Sequence, residues 1–507
     1  MMYLSRRQKI WMENFKEHQI EGVEWMWKRI SARKGVVLSD EMGTGKTMQA
    51  LEIAKRVWSQ IGKSILIVAP CTLLQNWKKE MDKMGFSIPA RVVRSSDAGA
   101  ENVLRGADGN YIVILNYELL QRKKGQILQS FFDLVIFDEA QRIKNRETMI
   151  SKVSRLIDAR SKMCITGTPI QNSLSELWSI TETVRPGYFG DYQRFKSEIE
   201  EPLKKSTLKN STELEKQKGA SIKEHINMLL SEIVIRRTKE DLAGFSENIP
   251  EGGLAIPRRK EHTIYCPLTR EQQSVYKRVL RNDLTRATVM GKRAPLKSIA
   301  HLKSICSHPI MADSELTRWS DSGKMQVIHR LLFMWRHTNR KILLFSQYKE
   351  TLRILQSITG RNTYRIDGDS PIRKREEVFN TFGSKEGLEV LLMSMKVGGV
   401  GINLQKSDTV ILFDIDWNPF NEEQAKGRAH RMGQKKEVEI YRLICRGTIE
   451  ESIEIVQEVK KTISKGVLDG IKSKQVFDKV DLCRLFHYSH DPLDITDLDT
   501  LASPEYK

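Results

Sequence analysis

Two groups of side chains in this sequence have the types and spacing for chemistry on a phosphoanhydride. The first is Gly43-Thr44-Gly45-Lys46-Thr47 within LSDEMGTGKTM. Gly43 and Gly45 can take positive φ, so that successive backbone N–H groups converge on β-phosphate oxygens. Lys46 then offers a point charge to the β- and γ-phosphates, and Thr47 a hydroxyl to Mg²⁺. The full pattern G-x-x-x-x-G-K-[ST] asks for a glycine where this chain has Asp40. The second group is Asp138-Glu139, at the end of the apolar run FDLVIFDEAQ. Hydrolysis needs one carboxylate to hold the metal and another to orient or deprotonate the attacking water. Alone, the first group could be a glycine-rich turn and the second a solvated acidic loop. Together, in this order, they indicate a nucleoside triphosphate site.

The elements that must position these groups have α/β character. GVVLS precedes the glycine loop and the helix-prone MQALEIAKRVW follows it, offering its N-terminal dipole to an anion. GVVLS, SILIVAP, YIVILN, LVIFDE and KMCITGT read as buried strands separated by helical stretches, and KILLFS, NTYRID, LEVLLMS, TVILFD and EIYRLI form a second such series. The expected fold is α/β, two doubly wound parallel-sheet lobes with helical insertions between them, their ligands gathering at the carboxyl ends of the strands. The boundaries read as a first lobe over 1–186, helical protrusions and a linker over 187–319, a second lobe over 320–470 and an acidic tail over 471–507. Within the middle region, KKSTLKNSTELEKQKGASIKEH reads as an exposed helical hairpin or loop, and IPEGGLAIPRR as a linker. The following helices carry Arg281, Arg286, Lys292, Arg293, Lys297 and Lys303, a run that suits either a solvated face or a phosphate backbone.

At 507 residues the chain is too long for one hydrophobic core. Its six cysteines contain no C-x-x-C pair, which argues against a disulfide framework or a zinc site and for an intracellular setting: cytoplasm or nucleoid in a prokaryote or phage, nucleus in a eukaryote. Apolar runs are of strand length only, so no membrane span is expected. A formal net charge of +19 favours a polyanionic partner, although a lysine-rich soluble surface has the same signature.

DEMGTGKT, DEAQ and TGTPIQNSLSELW, in that order, resemble the first motor lobe of the Swi/Snf family, the chromatin-remodeller-like branch of superfamily-two helicases. KILLFSQY, RIDGDSPIRKREEVFNTF, LLMSMKVGGVGINLQKSDTVILFDIDWNP and QAKGRAHRMGQKKEVEIYRLI resemble its later motifs, and IVIRRTKEDL and LKSICSHPI its family-specific connecting segments. The resemblance runs from about residue 15 to 470 and implies two RecA-like lobes and a DNA-dependent ATPase using ATP and Mg²⁺. In this family version of the loop the first glycine is dispensable, and the resemblance implies that Asp138-Glu139, not Asp40-Glu41, is the hydrolytic pair.

Carried over position by position, the resemblance gives Lys46, Asp138, Glu139, Arg428 and Arg431 catalytic roles, with Thr47 and Asp138 at the metal. Gln19 matches the glutamine that reads the adenine edge, or is a surface residue of an amphipathic helix; Gly401 and Gln424 match further nucleotide-cleft positions. Arg428 and Arg431 match the pair that reaches the γ-phosphate, and their spacing places them on one side of a helix. Pro70, Thr72, Trp77, Asn116, Tyr117, Ser346, Gln347, Ser394 and Lys396 match the polynucleotide track, while Trp417 either stacks on a base or packs the domain surface. Thr168 is expected to couple the two activities. The implied activity is monomeric translocation on double-stranded DNA, with a DNA-bound protein or DNA structure as cargo. A strand-separating DNA or RNA helicase and an ATP-regulated nucleic-acid scaffold are the alternatives. The absence of histone-reading modules disfavours a nucleosomal substrate and suits a compact bacterial, phage or viral translocase.

Overall fold

The computed structural model describes residues 15–86, 88–94, 111–167, 174–206, 211–238, 241, 257–281, 295–360, 362–395, 404–431, 434 and 436–464. Lys396, Gly401 and Thr168 lie outside these residues, as do Arg286, Lys292, Arg293 and the acidic tail. The chain divides into two compact units, Met1–Ala255 and Ile256–Thr462 in the main.

Among the described residues of the first unit, nine strands follow in chain order: β1 (Val36–Leu38), β2 (Ile65–Ala69), β3 (Ala90–Val92), β4 (Ile112–Asn116), β5 (Phe131–Phe132), β6 (Leu134–Asp138), β7 (Asp158–Ala159), β8 (Lys162–Ile165) and β9 (Val234–Ile235). Seven form one parallel sheet in the order β3-β4-β2-β6-β8-β1-β9, and β5 pairs with β7 in a short ribbon. The runs VVL, ILIVA, LVIFD and KMCI are buried throughout, as strands covered on both faces must be. Between β1 and β2 the chain leaves a gap that β6 and β8 later fill. The loops after β1, β8 and β6 therefore end as neighbours. Register makes this specific: Ile165 is level with Leu38 on one side and with Asp138 on the other. The glycine loop and the carboxylate pair thus emerge at the same height, two strand spacings or roughly 10 Å apart.

Helices cover this sheet: α1 (Glu17–Ser31), α2 (Lys46–Gln60), α3 (Leu74–Lys83), α4 (Tyr117–Arg122) and α5 (Leu174–Val184). The expected helical hairpin is present as α6 (Glu201–Ser206) and α7 (Glu213–Ser231), the latter started by a capping box between Thr212 and Glu215. Straight after α7 the chain enters β9 at the sheet edge beside β1.

The second unit holds one parallel sheet in the order β10-β15-β14-β11-β13-β12. Its strands are β10 (Arg259–Cys266), β11 (Lys341–Ser346), β12 (Thr363–Ile366), β13 (Glu389–Ser394), β14 (Thr409–Leu412) and β15 (Val438–Cys445). Its principal helices are α8 (Arg270–Arg281), α9 (Pro295–Ser307), α10 (Gly323–Trp335), α11 (Pro419–Lys426) and α12 (Ile449–Ser464). Lys324 at the start of α10 and Glu450 at the start of α12 form a fully buried ion pair at 2.8 Å.

The α/β class with two parallel sheets stands as the sequence implies, and all ten strands read from apolar runs are present. Five others carried no such signal. β3, β5, β7 and β9 have only two or three residues, too few to show a period. RKEHTIYC, the sequence of β10, is polar because that strand is a largely exposed sheet edge.

Candidate nucleotide site

Gly43 and Gly45 both have φ of 85°, the left-handed backbone that the loop requires, and Gly45 caps the N-terminus of α2. Lys46 folds back over the loop, its Nζ donating to the carbonyls of Asp40 at 2.8 Å and Glu41 at 3.0 Å. Thr44 is buried; its hydroxyl donates to the Glu41 carbonyl at 2.9 Å, and its own carbonyl accepts from Gln19 Nε2 at 2.9 Å. His18 Nε2 lies 3.1 Å from that same carbonyl. Gln19 is not a surface residue. It is buried, and its Oε1 accepts from the Lys16 N–H at 3.0 Å, so its amide pins the start of α1 to the glycine loop. Thr47 stands half-exposed in the first turn of α2. Asp40 is fully buried and bonded to Arg237.

Asp138 ends β6 with its carboxylate held by two donors, Trp77 Nε1 on Oδ2 and the Glu139 N–H on Oδ1, each at 2.8 Å. Burial, followed by the charge of Glu139, nevertheless pushes its carboxyl up to about 7. A carboxylate this reluctant to ionise alone is one that a divalent cation would stabilise, and the hard oxygen donors Thr47 and Asp138 fit Mg²⁺ in kind. Glu139 adopts φ of 49°, a strained conformation for a non-glycine residue, and its Oε2 accepts from Gln141 Nε2 at 2.6 Å. Gln141 Oε1 in turn accepts from the Thr166 hydroxyl at 3.2 Å. The Glu139 carboxylate, just past β6, is thereby linked to the loop that follows β8.

In the second unit α11 stops at Lys426, with Gly427 as its C-cap. Arg428 and Arg431 therefore lie not on a helix but in the tight turns that follow, where Arg428 N–H donates to Ala425 and Arg431 N–H to Ala429. This corrects the helical-face reading: the chain tightens beyond Gly427 instead of continuing as an α-helix. Arg428 is buried, Arg431 half-buried and Gln424 half-buried on α11.

Several expected track residues face inward. Trp77 and Tyr117 are fully buried; the indole holds Asp138 Oδ2 and the phenol donates to the Asp138 carbonyl at 2.7 Å. Neither side chain is open to a polynucleotide; the indole braces the Asp138 carboxylate and the phenol its main chain. Ser346 and Gln347 are likewise tied internally. Asp414 accepts from Ser346 Oγ at 2.5 Å, from the Gln347 N–H at 2.8 Å and from Ser307 Oγ. The Gln347 amide donates to the Ile415 carbonyl at 3.0 Å and accepts from Lys303 Nζ at 3.2 Å. Buried Lys303 is thus a fastener of Gln347 and not part of a solvated basic face. Trp417 packs partly buried against the apolar cluster containing Ile415 and Ile453. Asn116 caps α4 through Leu119 N–H at 2.8 Å, and Pro70 and Ser394 are buried at strand ends. The Thr72 hydroxyl is buried without a hydrogen-bond partner among the described residues.

A family model described as the SNF2-related domain matches residues 18–311, more than half of the chain, and one described as the helicase conserved C-terminal domain matches 323–433. The chain belongs to the SNF2-related family. Among its curated relatives, Protein CHROMATIN REMODELING 8 of Arabidopsis thaliana is 30% identical over 94% of this chain and 43% of its own length. DNA repair and recombination protein RAD54B of Gallus gallus is 31% identical over 91% of this chain and 55% of its own length. The chain therefore spans roughly half of the relatives it matches. A solved chain described as the Sulfolobus solfataricus SWI2/SNF2 ATPase core in complex with dsDNA is 26% identical, with a TM-score of 0.44 over 94% of this chain and 98% of that one.

For this SNF2-related chain, sequence reasoning placed the loop and the carboxylates but missed what holds them. The family resemblance puts Trp77 and Tyr117 on the polynucleotide track. Their apolar neighbours Leu73, Leu74, Leu119 and Leu120, all buried, were the available signal that the helices carrying them turn inward. The Asp414 anchor and the Asp40–Arg237 pair join residues far apart in the chain, and no local pattern announces them.

Proposed function

We propose that this chain is an ATP-driven translocase on double-stranded DNA that remodels or displaces DNA-bound protein or DNA structures. The observation that carries the ATPase part is the register of β1, β8 and β6, by which the loop carrying Lys46 and Thr47 leaves the sheet at the same height as Asp138 and Glu139. Lys46 and the loop N–H groups would bind the β- and γ-phosphates, while Glu139, oriented by Gln141, would position and deprotonate the attacking water. Mg²⁺, held by Thr47 and Asp138, would supply charge neutralisation at the transferring phosphoryl group. Arg428 and Arg431 of the second unit are the cations assigned to the transition state. DNA as the track is supported by relatives named for chromatin remodelling and for DNA repair and recombination, and by the net charge of +19. Thr72 and Asn116, both only half-buried, are the first-unit residues we assign to strand contact.

The test is the ATPase rate of the full chain with duplex DNA, single-stranded DNA and RNA side by side. Stimulation by duplex DNA at least several-fold above the other two is expected. A rate indifferent to all three would leave a nucleotide-regulated scaffold, and preference for single strands or RNA would favour a strand-separating helicase.

A further inference from the structure

We propose that Arg237 is a positioning residue of the nucleotide site, through which the segment leaving the helical hairpin sets the shape of the glycine loop. The inference rests on the ATP reading above and deepens it. Arg237 follows β9 and is distant in sequence from every residue of the loop, yet its guanidinium is wedged among the elements that build it. Nε donates to Asp40 Oδ1 at 3.1 Å and Nη2 to Asp40 Oδ2 at 2.5 Å, a two-pronged pair with a fully buried carboxylate. The backbone N–H of Arg237 adds a third bond to Oδ1 at 3.1 Å. Nη2 also reaches Gln49 Oε1 of α2 at 3.3 Å, while Nη1 donates to the His18 carbonyl and lies 3.3 Å from Glu21 Oε2 of α1. Main-chain bonds complete the seam: Ser39 N–H to the Ile235 carbonyl at 2.8 Å and Glu41 N–H to the Arg237 carbonyl at 2.9 Å.

The guanidinium has a seat made for it. A Cβ added at Gly22 of α1 would come within 2.6 Å of Arg237 Nη2 and 2.2 Å of Gln49 Oε1, so only a glycine leaves room for the side chain to cross the helix. From this seat Arg237 controls both flanks of the loop. On one flank it fixes Asp40 and Glu41, whose carbonyls receive the Lys46 ammonium. On the other it fixes His18, next to the Gln19 amide that holds the Thr44 carbonyl. Since β9 follows α7 closely, a displacement of the α6–α7 hairpin would reach the phosphate loop through this side chain and the main-chain seam beside it.

A buried charge pair of this kind also has a structural interpretation, in which it sets stability and nothing else. The two are separated by measuring equilibrium binding of a fluorescent ATP analogue to the full chain without DNA. KM for ATP, kcat and thermal melting are followed in parallel. The variants are Arg237→Lys, which keeps the charge but loses the fork; Gly22→Ala, which displaces the guanidinium; and the double variant Asp40→Asn/Arg237→Gln, which removes both buried charges. Each is expected to weaken ATP binding and raise KM roughly tenfold, with kcat changed by less than about twofold. The double variant is expected to melt like the wild type and still bind weakly. If folded variants, the double one above all, bind ATP within about twofold of wild type, the pair is structural and the inference is overturned. Failure of the wild-type chain to bind the analogue would instead strike the ATP reading itself.

Discussion

Glu139→Gln is expected to lower ATP turnover by roughly 10²- to 10⁴-fold, the usual contribution of a positioned general base. The substitution keeps the side-chain shape and the contact with Gln141, where a carboxamide oxygen can replace Oε2 at 2.6 Å. Only proton acceptance is lost. ATP binding and DNA binding should therefore remain close to wild type, and the variant should accumulate as an ATP-bound complex. Lys46→Ala should abolish turnover by a different route, because it removes the ammonium that now bonds the Asp40 and Glu41 carbonyls. In that variant ATP affinity falls as well. Steady-state turnover and nucleotide binding, measured on the same preparations, distinguish the two. Turnover of Glu139→Gln within tenfold of wild type would remove Glu139 as the base.

The second large effect concerns Asp138 and pH. Its carboxyl is pushed from 3.8 to about 7, first by burial and then by Glu139, against the opposing Trp77 and Glu139 N–H bonds. A folded-state value above the unfolded one means that the folded chain binds the proton more tightly. The associated stability is complete below about 4 and is lost as pH rises through about 7. A rise of this size corresponds to roughly 4 kcal/mol at most. In the metal-free protein the wild type should therefore lose stability between pH 4 and 8 more steeply than Asp138→Asn, by on the order of 2 to 4 kcal/mol. The slope is the readout, not the absolute stability, because Asn turns an NH₂ towards one of two donor N–H groups and loses a bond there. Added Mg²⁺ and ATP should restore the wild type at pH 8 and leave Asp138→Asn unmoved. Denaturant melts across pH check this, and parallel slopes for the two proteins would show that Asp138 ionises freely.

The chemistry was legible in the sequence wherever a local pattern carries it. Gly43 and Gly45 announce positive φ because few other residues adopt it, and LVIFD followed by an acid announces a buried strand delivering a carboxylate. The two sheets were legible for the same reason, since strands buried on both faces are runs of apolar residues. What stayed hidden depends on burial and long-range pairing. Trp77 and Tyr117 could face either way from their helices, and the choice was made by the space behind Asp138. Ser346 and Gln347 carry groups that suit a phosphate equally well, yet Asp414, far along the chain, claims them. β9 and Arg237 lie within a segment read as connecting, because a two-residue strand and a lone arginine leave no trace in periodicity.

Translocation on intact duplex is the central claim, and displacement of a triplex-forming strand tests it most directly. A duplex bearing a bound third strand some distance from the loading end is incubated with the chain, Mg²⁺ and ATP. ATP-dependent release of the third strand, with both duplex strands still paired, is the predicted result, and Glu139→Gln should release none. A wild-type chain that hydrolyses ATP on this DNA but leaves the third strand in place, or that releases it only by separating the duplex, would contradict the account.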